Sequence, residues 1–169
     1  MKITTNDAIA ISPVRFRCFS FVLAVAALVV AAQLSWGVNG VPFRGRAEGA
    51  ITNVTPDPGG GVVLTIVTEG IATHLGRFSR DEELLLDPST NTFTGNIVFT
   101  AANGDQLVAA VVGGFISQTT ATGSYTFNGG SGRFANATGE AAFTASTSDG
   151  VHVTVEFTGT LQSIGGANR

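Results

Sequence analysis

The stretch Gly129-Gly130-Ser131-Gly132-Arg133-Phe134-Ala135-Asn136-Ala137-Thr138-Gly139 reads as a corner between two strand-like segments. Glycines 129, 130, 132 and 139 give the backbone access to conformations that side chains disfavour. Phe134 is the one large apolar anchor among small residues. Before the corner, Tyr125 and Phe127 alternate with Ser124, Thr126 and Asn128. After it, Val151, Val153, Val155 and Phe157 alternate with His152, Thr154, Glu156 and Thr158. A period of two is the pattern of a half-buried strand, and no long stretch of this chain follows a helical period.

Working outward, Asn103-Gly104 lies between apolar runs at 97–102 and 106–115, and Asp149-Gly150 lies between 140–147 and 151–161. Both dipeptides are strong hairpin signals. Pro56-Asp57-Pro58-Gly59-Gly60-Gly61 reads as an irregular connection, because its prolines withdraw ladder donors. Eight strands follow: roughly 43–54, 62–69, 72–80, 92–102, 106–116, 121–128, 139–147 and 151–161. The segment 81–86, Asp-Glu-Glu-Leu-Leu-Leu, either extends the third strand or forms one helical turn before Asp87-Pro88. Eight antiparallel strands with short turns predict an all-β closed barrel or a sandwich. Closure is favoured because few lysines or prolines guard the strand edges. The similarity of 95–101 to 139–145 is accounted for by shared β chemistry as readily as by duplication.

The first 37 residues are set apart from the fold. Lys2, Arg15 and Arg17 precede an apolar run of about 16 residues, Phe19 to Leu34, and small residues follow it. A basic region, a short apolar core and small residues predict a cleaved N-terminal signal helix over 1–37, with the cut after Ala32 or Gly37. The run is shorter than the ~20 residues that span a bilayer, so no stable membrane insertion is expected after cleavage. The product is expected to be secreted or periplasmic, with 38–169 forming a single barrel domain. Cys18, the only cysteine, precedes the apolar core, so a disulfide plays no part. Beyond residue 37 there is no lysine, and six arginines face eleven carboxylates. That balance argues against nucleic acid and anionic membranes as partners.

The 129–139 corner resembles the Gly-Gly-Thr-Gly-Arg-Phe turn of plant dirigent proteins and allene oxide cyclases, which exported bacterial proteins of that barrel superfamily also carry. Ala72-Thr73-His74-Leu75-Gly76-Arg77-Phe78 resembles a second segment of those bacterial proteins. The resemblance implies an eight-stranded antiparallel barrel around a mostly apolar cavity, often assembled as a trimer. It assigns no catalytic residue: the matching glycines and Phe134 are structural.

Chemistry-bearing residues are few. Arg44, Arg46 and Glu48 share one face of the first strand, neighbours about 6.6 Å apart. Pointing inward, Arg46 and Glu48 would hold a carboxylate or polarise a carbonyl; pointing outward, they are a solvated face with Phe43, Gly45, Ala47, Gly49 and Ile51 inside. Tyr125, the only tyrosine, falls inside with Phe127, as a ligand hydrogen-bonder or as a core aromatic with its hydroxyl satisfied. His74 reads as a structural hydrogen-bonder. His74 and His152 lack the carboxylate company of a metal site, so no metal and no cofactor is expected. No nucleophile elbow, phosphate loop or zinc motif is present. Asn53-Val54-Thr55 and Asn136-Ala137-Thr138 match the glycosylation sequon. The 106–116 strand is apolar on both faces, which predicts an outer face covered by a subunit contact in a homo-oligomer or by a terminal arm of the same chain.

Three functions fit: a barrel that binds a small apolar molecule, a structural or surface protein with a filled barrel, and a cyclase- or dirigent-type enzyme that positions a reactive intermediate by shape. Arg46, Glu48 and Tyr125 are the candidate ligand contacts.

Overall fold

The computed structural model describes residues 40–165. The expected signal segment lies outside these residues. Eight strands run in chain order: β1 (Val41–Pro56), β2 (Val62–Ala72), β3 (Gly76–Asp87), β4 (Thr92–Ala101), β5 (Gln106–Phe115), β6 (Thr120–Gly130), β7 (Thr138–Ser146) and β8 (His152–Gln162). Each pairs antiparallel with the next, and β1 pairs with β8, so the sheet closes on itself. Closure pairs every edge, which is why the strands need no guarding charges. A bulge between Ile51 and Asn53 shifts the β1–β2 register near one end.

Most strand limits shift by one or two residues from the sequence reading, and the largest changes are at the end of β2, which runs on to Ala72, and at both ends of β3. β3 starts at Gly76 and not at 72, because Thr73, His74 and Leu75 form the turn and His74 holds a φ of 66°. Thr73, not His74, supplies the hydrogen bonds there: its hydroxyl accepts from the Arg44 amide at 2.9 Å and donates to the Pro42 carbonyl at 3.0 Å. At its other end β3 continues through 81–86 to Asp87, so the open segment is strand.

The inward parity is set by Phe43 and Ala47 on β1, Phe78 on β3, Ile97 and Phe99 on β4, and Tyr125 and Phe127 on β6, all buried. Phe43 stacks on Phe157 at 5.2 Å and meets Phe127 edge-on at 5.1 Å. Such aromatic pairs add about 0.5–1.5 kcal/mol each beyond their area. They fill the half of the barrel nearest the β1 start and the β8 end, here the lower half.

The 129–139 corner closes that lower end. Gly132–Phe134 forms a single 3₁₀ turn with Phe134 fully buried. Gly132 has a φ of 57°, and a Cβ there would overlap the Asp105 carboxylate. Glycine is therefore required twice over, by conformation and by space. Ser131 ties the corner to β5 by accepting from the Gln106 amide at 3.0 Å. Leu75 and Ala137, from neighbouring lower loops, are also buried.

Candidate functional site

Above its phenylalanine layer the barrel is not filled. A cavity of about 80 Å³ lies there, walled by Leu64, Ile66, Leu84, Phe93, Phe143 and Val155. Ala121 and Ala145 leave the space that larger side chains would occupy. The β5–β6 and β7–β8 connections supply its mouth through Phe115, Thr119, Ser146 and Thr147. A backbone bond from Thr147 N–H to the Thr119 carbonyl, 2.9 Å, joins these two connections.

Charge reaches this apolar space from β3 alone. Phe78, Arg80, Glu82 and Leu84 share the inward parity, so two ionisable side chains stand inside a hydrophobic barrel. Arg80 is 2% exposed and Glu82 5%. Arg80 Nη2 donates to Glu82 Oε1. The guanidinium carbon lies 5.4 Å from the Tyr125 ring centroid and 5.6 Å from that of Phe99. Both distances suit cation–π attraction, which strengthens away from water. Tyr125 stacks on the cavity-wall residue Phe143 at 4.6 Å.

The pair is electrically balanced but not saturated. Arg80 Nε and Nη1 and the Tyr125 hydroxyl are buried without a well-aligned hydrogen bond, although the guanidinium and the phenol attract each other. Burial alone would weaken the Arg80 cation, but Glu82 and Tyr125 together outweigh it and the pKa is raised, so the guanidinium stays charged. Burial also pushes the Tyr125 hydroxyl up, with Arg80 pulling the other way, so the phenol stays neutral. The floor of the cavity is thus bordered by a permanent cation whose charge Glu82 already neutralises. A neutral acceptor oxygen is what such a floor lacks.

Of the residues singled out from sequence, Tyr125 is inside as expected, though its hydroxyl lacks a well-aligned hydrogen bond. Arg46 and Glu48 are not in the barrel. They pair with each other at 2.5 Å on the outer face, their side chains 60% and 64% exposed. The parity of β1 decides this, because Phe43 and Ala47 take the inner positions. Arg80 and Glu82 were missed. Their signal was the same-parity run Phe78, Arg80, Glu82, Leu84, which becomes readable only once β3 is known to pass through 81–86.

The solved structure of the pterocarpan synthase dirigent protein GePTS1 is similar to this chain, with a TM-score of 0.53 and 13% sequence identity, covering 77% of this chain and 88% of that one. At that identity the likeness shows the fold: a dirigent-like, eight-stranded antiparallel barrel. No family model matches the sequence, and no curated protein matches it.

Proposed function

We propose that the barrel binds a small, mostly apolar molecule in its upper cavity, held by a hydrogen bond from Arg80. The observation that carries this reading is a buried, charged guanidinium bordering an apolar cavity, with two of its nitrogens lacking a well-aligned hydrogen bond. Buried polar groups are almost always paired, so under-satisfied donors on a residue that borders a cavity favour a ligand-binding reading. A filled, purely structural barrel fits the lower half and not the upper. The test is native mass spectrometry of protein purified from its own host, followed by titration with small ketones monitored by NMR. Binding should shift resonances of Leu84, Phe93 and Phe143 and should be abolished in Ala145→Phe, which fills the cavity. Unchanged spectra throughout would refute the reading.

A second reading is favoured by Glu82. A carboxylate beside a cation and a neutral phenol is a set that moves protons, and the structural neighbour's name contains a synthase activity. Such an enzyme would orient a reactive intermediate chiefly by shape. Turnover lost in Glu82→Gln while ligand binding persists would distinguish catalysis from simple binding.

Export and self-association belong to the same proposal. Mature protein should begin after Ala32 or Gly37 by N-terminal sequencing. The outer stripe of β5, with Val112 exposed beside Val108 and Ala110, is the proposed contact between copies in a trimer. A monomer in sedimentation at high micromolar concentration would remove it.

A further inference from the structure

We infer that the ligand is an uncharged, elongated amphiphile that enters with an acceptor oxygen foremost and leaves its chain in a groove outside the barrel mouth. The inference rests on the binding reading above and adds shape and charge to it.

Size comes first. The cavity holds about 80 Å³. An apolar protein cavity that takes in benzene measures roughly 150 Å³. Only the tip of a slim molecule therefore fits against Arg80, and the rest must pass the mouth. Phe115 stands at that exit. It packs on the cavity-wall residue Phe93 at 5.8 Å and also lines an outer groove of about 490 Å³ with Leu86, Asn91 and Ile116. Cavity and groove thus share a wall. Phe115 is 38% and Ile116 68% exposed, so the apolar path continues into the open. Large apolar side chains left in water beside a cavity mouth mark a contact surface.

Charge selects next. The upper loops and the strand ends beside them carry Asp57, Glu83, Asp87 and Asp149, with no lysine or arginine among the described residues there. Arg44, Arg46, Arg77 and Arg133 all sit toward the lower end. A ligand carboxylate at the outer end would meet mainly like charge, His152 there being already paired with Asp149, and one at the inner end would add an unbalanced charge beside the Glu82 carboxylate. A cation at the inner end would face Arg80. Burying an unpaired charge is costly either way, so an uncharged tip such as a carbonyl is favoured.

The experiment measures affinities of acetone, methyl butyl ketone, methyl octyl ketone and decanoate for the wild-type chain and for Ile116→Asp, an exposed change that spares the core. Burial of each added methylene should tighten binding by about fourfold. We expect methyl octyl ketone to bind more than tenfold tighter than methyl butyl ketone, and decanoate to bind at least tenfold more weakly than methyl octyl ketone. Ile116→Asp should cut the affinity of methyl octyl ketone about tenfold and leave acetone unchanged. Decanoate equal to the ketone, no gain with chain length, or no loss in Ile116→Asp overturns the inference while the binding reading stands. No binding by any of the four compounds overturns both.

Discussion

Glu82 is the residue whose loss the barrel should tolerate least, because it neutralises a guanidinium held almost wholly out of water. Removing one partner of a buried ion pair typically costs about 3–5 kcal/mol, whereas replacing both by apolar groups of similar size is often neutral. Glu82→Gln is therefore expected to lower stability in denaturant unfolding by an amount in that range, and Arg80→Met with Glu82→Leu to restore most of it. A Glu82→Gln chain as stable as the parent would mean that Arg80 finds its compensation elsewhere. Tyr125 gives a second test. Its raised pKa means that the folded chain holds a neutral phenol where an unfolded chain would ionise near pH 10. Stability from this group is thus complete below that pH and declines as pH rises above it. Since Tyr125 is the only tyrosine, tyrosinate absorbance should rise together with unfolding in alkali and not before it. Its inward position was legible from alternation with Phe127, but the lack of a well-aligned hydrogen bond at its hydroxyl was not.

At the scale of elements, the two kinds of connection make different predictions. In the lower corner, Ala at Gly132 must adopt a left-handed backbone and displace Asp105. Backbone strain of that kind costs on the order of 1–3 kcal/mol, and Gly132→Ala should show it in unfolding experiments. In the upper β7–β8 turn, Asp149 Oδ1 accepts from the amides of Val151 at 2.9 Å and His152 at 2.8 Å, while Oδ2 meets His152 Nδ1 at 2.6 Å. The bond with His152 is the largest cause holding the Asp149 carboxyl well below its ordinary value, with the two amides adding to it. A depressed carboxyl stabilises above its unfolded pKa, near 3.9, and loses that contribution as pH falls through the folded value. Protection of the Val151 and His152 amides, measured against their intrinsic exchange rates, should fall on acidification from pH 4 downward, and Asp149→Asn should show the lower protection already at neutral pH. Hairpins at Asn103-Gly104 and Asp149-Gly150 were readable because turn chemistry is local. The limits of β3 were not, because a polar-then-apolar run carries no period.

For the whole molecule, closure is the property with the widest consequence. An open sheet leaves two edge strands whose amides exchange freely, whereas here β1 is bonded to both β2 and β8. Amides of β1 and β8 should therefore be as protected as those of β4 and β5 in hydrogen exchange by NMR. Rapid exchange along either strand would indicate an opened barrel. Closure also creates the site, since one unbroken wall excludes water from Arg80 on all sides but the mouth.

Two Arg-x-Glu tripeptides make the boundary between sequence and structure plain. Arg46-Ala47-Glu48 and Arg80-Asp81-Glu82 have the same spacing, and each pairs Arg with Glu across one intervening residue. By itself the sequence determined the number of strands, the turns between most of them, the glycine corner and the inward face of β6, because strand period and turn geometry act over a few residues. Only the tertiary structure decided which of the two ion pairs lies in water and which in the barrel. Side-chain direction follows from strand parity, and parity in β3 is fixed by its register with β2 and β4, residues distant in the chain.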